Sequence, residues 1–333
     1  MSSAVTSYVI FTVFSQMSVG ALIATVITDF LAKSKEDAKF FETGAWVSVP
    51  VAVIALIGIL SHEARPMLAM MTMNTNLATS WLSREVLALT VFVILAVIYT
   101  IMWLLEPEYG SLKCFPIIPS IVAKFMPLRK LVGVLAAVIG LAFLGVSARA
   151  YMMVGLPSLN LPTTPVFFYV TALLAGVTAV AAVLSLKYVM KKAGDEPLAR
   201  MLRITMGIAL VIVIVLIAGL LANHKFLAPE SAPTKYAGVA FEETLAGMTT
   251  GEYATFYMAR WVIGVGLALI FTVALALPLK KKKNMTTAST LAILLFVVVL
   301  IGELLGRSVL FGTNVPLGHV MPNIEAFYTG LGL

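Results

Sequence analysis

Apolar residues fill eight long runs of the chain, near 7–31, 44–61, 82–105, 131–151, 166–190, 203–222, 256–279 and 290–312. Each run is about 18–25 residues long, the length of a helix crossing ~30 Å of hydrocarbon at 1.5 Å per residue. Polar residues collect in the connections, and the ionisable groups that enter the runs sit toward their ends. The pattern predicts an all-α fold: a polytopic transmembrane helical bundle of eight spans, with 1–333 forming a single integral membrane domain. The mean hydropathy of +1.01 and the 60% share of hydrophobic residues agree. Eight spans leave no room for a soluble domain.

Charge gives the bundle an expected orientation. Lys33, Lys35 and Lys39; Lys113, Lys124, Arg129 and Lys130; Lys187, Lys191, Lys192, Arg200 and Arg203; and Lys280 to Lys283 belong to the odd-numbered connections and their helix ends, sixteen of the 23 basic residues. Arg65, Arg84, Arg149, Lys225, Lys235, Arg260 and Arg307 belong to the other face. The positive-inside rule puts the odd connections in the cytoplasm and both termini outside. No basic residue precedes Lys33, so the first run reads as a retained span and not as a secretory signal. Trp46 and Trp103 fall at inner boundaries and Trp81 and Trp261 at outer ones, where interfacial aromatics belong. The net charge of +7 follows from this topology and calls for no nucleic acid.

Several cofactor classes find no ligands. Cys114 is the sole cysteine, so this chain can ligate no iron–sulfur cluster and form no internal disulfide. His62, His224 and His319 lie at or beyond outer helix ends, which disfavours a transmembrane haem. Neither a phosphate-binding glycine loop nor a metal-ligand spacing occurs, and no internal repeat or inverted halves are evident.

The embedded polar residues collect on one side. Gln16 lies in the outer half of the first span, His62 closes the second, and Glu85 opens the third. Arg149 lies near the outer end of the fourth span, Arg260 near the outer start of the seventh, and Glu303 and Arg307 in the outer half of the eighth. Ionisable groups at membrane depth cost ~2.5–3.5 kcal/mol each on insertion scales, so they tend to be paired, cavity-facing and functional. Together they predict a polar pocket opening outward. Plainer roles stand beside that reading. Glu303 and Arg307, spaced i,i+4, can neutralise each other as a structural ion pair. Gly302 and Gly306 form a small-xxx-small step suited to close helix packing. Arg149 and Arg260 can snorkel to the interface, and Asp29, Glu106 and Lys187 can do so at inner ends. The connection 63–81, with Met67, Met70, Met71 and Met73, suits an interfacial segment over an apolar ligand.

Four strings then carry a resemblance. IFTVFSQMSVGALIA in the first span, SHEARPMLAMMTMNTNLATSWLSREV between the second and third, SARAYMMVGLPSLNLPTTPVFFYVTALLAG across the fourth and fifth, and IGELLGRSVLFG in the eighth resemble the membrane anchor subunit of dimethyl sulfoxide reductases. That family falls within the wider group of quinone-interacting anchors of polysulfide and nitrite reductases. The resemblance covers nearly the whole chain. It implies a menaquinol-binding subunit that carries no haem, iron–sulfur cluster or molybdenum of its own. It implies as partners a four-cluster iron–sulfur subunit and a molybdopterin catalytic subunit, in the cytoplasmic membrane of a prokaryote. The family's quinol-site histidine falls on His62 and its acidic partner on Glu85. Glu63 and Ala64 depart from the usual Leu-Gly after that histidine, which bears on the catalytic partner's substrate more than on quinol binding.

The chemistry fits these residues. Quinol oxidation releases two electrons and two protons, so the site needs a hydrogen-bond acceptor that titrates near neutrality. Histidine, with an unperturbed pKa of ~6.5, is one. Glu85 then relays the proton outward, while Gln16, Arg149 and Arg260 complete the expected quinol contacts. No electron acceptor exists within the chain, so the iron–sulfur partner is expected to dock on the outer face. A secondary transporter or channel with an outward polar site is the rival reading, disfavoured by an expected lack of polar groups in the inner half. A purely structural anchor is a third, disfavoured by the cost of the embedded charges.

Overall fold

The computed structural model of the chain describes residues 3–61, 76–112, 123–281 and 284–321. His62, the Met-rich stretch to residue 75 and Cys114 lie outside the described residues. The described residues form helices joined by turns, with no strand among them. Eight segments are long and apolar enough to cross a membrane: Val5–Leu31, Lys35–Leu60, Trp81–Leu104, Ala123–Tyr151, Thr163–Lys191, Asp195–Phe226, Ala254–Lys280 and Met285–Gly312. The eight expected spans are all present.

The helices are α1 (Ser3–Leu31), α2 (Lys35–Ala45), α3 (Ser48–Leu60), α4 (Trp81–Leu104), α5 (Arg129–Tyr151), α6 (Thr163–Lys191), α7 (Asp195–Phe226) and α8 (Lys235–Thr249). The seventh span is α9 (Ala254–Ala259), a π-helical stretch Arg260–Leu267, α10 (Ala268–Ala274) and α11 (Ala276–Lys281). The last helices are α12 (Met285–Gly312) and α13 (Leu317–Val320).

Burial divides the spans into two kinds. The first and fifth are 78% buried within the protein, whereas the other six are 33–44% buried. A helix apolar on every side can be satisfied by lipid or by neighbours, and α1 and α6 take neighbours. In the first bundle α1 packs on α3 and α5, and α4 on α3 and α5; in the second α6 packs on α7 and α12, and α7 and α12 both meet the seventh span. Contacts of α1 with α6 and α12, and of α5 with α6, join the two bundles. Four crossings separate α1 from α6, so the two run in the same direction and the halves are parallel, not inverted. Small residues allow the central approach. A Cβ on Gly20 would fall 1.7 Å from the Ala172 carbonyl oxygen, and one on Gly176 would fall 2.2 Å from the Gly20 carbonyl carbon.

Three local features depart from eight uniform helices. The second span breaks at Trp46–Val47, and its inner part α2 is amphipathic, with Ser34 capping the Asp37 amide. The membrane portion α3 has 13 residues, about 20 Å. The connection after α7 contains α8, capped by Thr234 and burying Ala237, Ala240, Phe241, Thr244 and Met248 at helical spacing. The π-helical stretch lies where Gly264 meets Gly302, whose added Cβ would fall 2.2 Å from the Gly264 Cα. The small-xxx-small step on α12 is thus a close helix contact, as its spacing predicts. Trp46 and Trp81 are exposed, but Trp103 is fully buried with Arg129 over its ring at 4.2 Å. Trp103 is therefore not a boundary aromatic.

Candidate functional site

The N-terminal ends of α1, α4 and α6 and the C-terminal ends of α5 and α12, the ends expected to lie outside, meet around a set of buried polar side chains. Arg307 is at its centre. Its Nη2 donates to Gln16 Oε1 at 2.8 Å, to the Phe167 carbonyl at 3.0 Å and to Thr171 Oγ1 at 3.1 Å. Thr171 Oγ1 in turn donates to Glu303 Oε2 at 2.6 Å. The expected Glu303–Arg307 ion pair is therefore relayed through the Thr171 hydroxyl. The reason is rotational: both side chains project from α12 toward α6, where Thr171 stands between them. The guanidinium also lies 4.2 Å from the Phe168 ring centre, a favourable place for a buried cation.

Glu85 belongs to the same end of the molecule. It is buried in the first turns of α4, and its Oε1 accepts a short hydrogen bond from Ser147 Oγ on α5. One turn beyond Ser147, the ring of Tyr151 packs against Tyr8, Phe168 and Phe311, with centroids 6.3, 5.7 and 5.2 Å apart. The Tyr151 phenol lies within electrostatic reach of Glu85, Tyr8 and Arg307, so it links the two parts of the cluster. Nearby, Ser7 on α1 hydrogen-bonds Ser61 at the end of the second span, the residue preceding His62.

Two N–H donors in this cluster find no acceptor among the described residues: Gln16 Nε2 and Arg307 Nη1, both fully buried. A buried donor without a partner costs about 1–3 kcal/mol, so such groups in a native protein call for a function. They are hydrogen-bond donors of the kind a quinone oxygen accepts.

Of the remaining candidates, Arg260 is buried at the start of the π-helical stretch, against Gly306 and 5.0 Å from the Phe167 ring centre, within electrostatic reach of Glu303. It therefore does not snorkel. Arg149 departs from the expected set. It is exposed, caps the carbonyl of Met152 and stands 5.3 Å from the Trp81 ring centre, which is the interfacial role. The sequence reading missed Ser147, Tyr151 and Thr171. Hydroxyls are common in membrane helices, and only the partners across the bundle distinguish these three.

The inner half also differs from expectation. Asp29 does not reach water. Its carboxylate is buried and receives Arg129 Nη2 at 2.8 Å, Arg129 Nε at 3.1 Å and the Tyr99 hydroxyl at 3.2 Å. Arg129 also pairs with Glu106 at 3.1 Å and donates to Tyr109 at 2.8 Å. Burial raises the Glu106 carboxyl above its ordinary value, with the Arg129 charge opposing. This knot ties α1, α4 and α5 together at the end of the bundle opposite Glu85 and Arg307. The inner half is not empty of polar groups, and the argument drawn from that emptiness does not hold.

The architecture defines a class: a helical membrane protein whose buried carboxylate and buried donors gather at one end of the bundle. Among the described residues, no group of three or more His, Cys, Asp or Glu is placed to hold a metal ion. The family model of the DMSO reductase anchor subunit (DmsC) matches residues 2–313, and the chain belongs to that family. It is thus an anchor subunit of a DMSO reductase complex, a multi-pass membrane protein associated with catalytic and iron–sulfur subunits. No curated protein matches the chain.

Proposed function

We propose that this subunit oxidises quinol, binding menaquinol near the outer face between His62 and Glu85 and passing its electrons to a four-cluster iron–sulfur subunit docked on that face. The observation that carries the reading is the buried Glu85 carboxylate, beside Tyr151 and at the end of the bundle where Gln16 and Arg307 keep unpartnered donors. In this reading His62 accepts a quinol proton. Glu85, held by Ser147, relays protons to outside water. Gln16 Nε2 and Arg307 Nη1 hold a quinone oxygen as the ring loses its hydrogens. Arg260 supports this set from behind Gly306, and Arg149 acts only at its edge. The two protons appear outside and the two electrons leave on the same side, so this half-reaction moves no charge across the cytoplasmic membrane. The paired inner knot offers a solute no unpaired group, so the transporter reading gains nothing from it.

The test is quinol turnover by the assembled complex. His62→Ala should lower it at least ~100-fold, the usual scale of a lost acid–base group, and Glu85→Gln should slow it across pH 6–8 while inhibitor binding persists. Electron transfer from an artificial donor acting directly on the catalytic partner should survive both. Parental quinol turnover in His62→Ala would remove the site assignment.

A further inference from the structure

We propose that the groove between α2 and the inner end of α6 binds the head group of an anionic phospholipid. Lys187 anchors the site. Its ammonium donates to the carbonyls of Lys39 and Phe40 at 2.8 and 2.9 Å, which uses two of three N–H donors. Lys39 and Lys191, both exposed, lie within its electrostatic reach, together with one carboxylate, Glu42. That carboxylate already accepts the Ser111 amide at 2.6 Å, and Asp37, also on the groove wall, is ion-paired to Arg200. Lys39, Lys187 and Lys191 thus share the groove with two engaged carboxylates, Glu42 and Asp37, and with the exposed Glu36. Glu36 is not among the charges acting on Lys187, whose third N–H can take an anion.

The shape says which kind of anion. The half-open groove offers about 880 Å³, far more than a phosphate ion occupies. Its membrane-side wall carries Trp46, Leu186 and Met190, which are 46%, 51% and 74% exposed. An acyl chain lying on these residues places its phosphate level with the three ammonium groups. Basic pockets between spans on the cytoplasmic side bind lipid head groups in this way, with each Lys near the surface contributing ~1 kcal/mol. The assignment to the inner leaflet rests on the charge-derived orientation. The binding does not.

The intact complex, stripped of lipid in neutral detergent, is titrated with dioleoyl phosphatidylglycerol, with dioleoyl phosphatidylcholine or with inorganic phosphate, and retained lipid is read by native mass spectrometry. Phosphatidylglycerol should be retained over phosphatidylcholine. Lys39→Gln with Lys191→Gln should weaken that retention at least ~10-fold, leaving quinol turnover unchanged, because neither residue belongs to the outer site. Lys39→Arg with Lys191→Arg should keep it. Equal retention of the two lipids, or parental retention by the Gln variant, overturns the site. Displacement of the lipid by inorganic phosphate at comparable concentration overturns the lipid assignment in favour of a phosphate site.

Discussion

Arg307 shows how unevenly one side chain can be satisfied. Three acceptors share its Nη2, while Nη1 faces none among the described residues. The charge is balanced by Glu303, one hydroxyl away. Removing one partner of a buried charge pair leaves the other uncompensated, which costs roughly 3–5 kcal/mol, whereas removing both charges is often nearly neutral. Arg307→Gln should therefore lower thermal stability in detergent sharply, and Arg307→Gln with Glu303→Gln should recover most of the loss. A double variant no more stable than Arg307→Gln alone would show that Glu303 is not the balancing charge. Quinol affinity should stay low in both, since the Nη1 donor is gone either way. At this scale the sequence was legible at most positions where a charged or amide side chain interrupted an apolar run. Gln16, Glu85, Arg260, Glu303 and Arg307 all turn inward. Arg149, at similar depth, faces outward because its position on α5 looks toward Trp81, and helical phase, not depth, decides that.

Between helices, the closest contact is the α1–α6 crossing, where Gly20 and Gly176 let two backbones touch. Any side chain there must push the bundles apart, and overpacking of a tight interface costs typically 1–3 kcal/mol or more. Gly20→Leu should abolish monodisperse, assembled protein in detergent, while Gly207→Leu should be tolerated because nothing lies within 4 Å of a Cβ there. Equal behaviour of the two variants in size-exclusion chromatography would mean that this crossing does not hold the halves together. Element existence was legible from run length alone, and all eight spans follow it. What hydropathy did not resolve has local causes. The break at Trp46–Val47 leaves no apolar gap, α8 is amphipathic within a polar connection, and the π-helical stretch accommodates a glycine contact from α12. The Asp29–Arg129 knot escaped notice because Arg129 belongs to a basic connection in sequence yet turns back into the bundle.

For the whole molecule the decisive quantity is sidedness. By the positive-inside rule, sixteen of 23 basic residues make the odd connections the expected cytoplasmic ones, and helix packing gathers Gln16, Glu85, Ser147, Tyr151, Glu303 and Arg307 at the opposite end of the bundle. Electron transfer weakens steeply with distance, so a cluster that accepts electrons from this end must dock on it. The exposed side of α8, with Glu242 and Glu243, belongs to that face. Ser231 lies just before α8 and Thr286 in the first turn of α12, at opposite ends of the bundle, and both are exposed. Ser231→Cys and Thr286→Cys, each in a Cys114→Ser background, therefore report the two faces separately. An impermeant thiol reagent on intact cells should label Ser231→Cys and spare Thr286→Cys until the membrane is opened. The reverse result would place both termini and the quinol site on the cytoplasmic side. The iron–sulfur partner would then dock in the cytoplasm, and the groove at Lys39, Lys187 and Lys191 would face the outer leaflet.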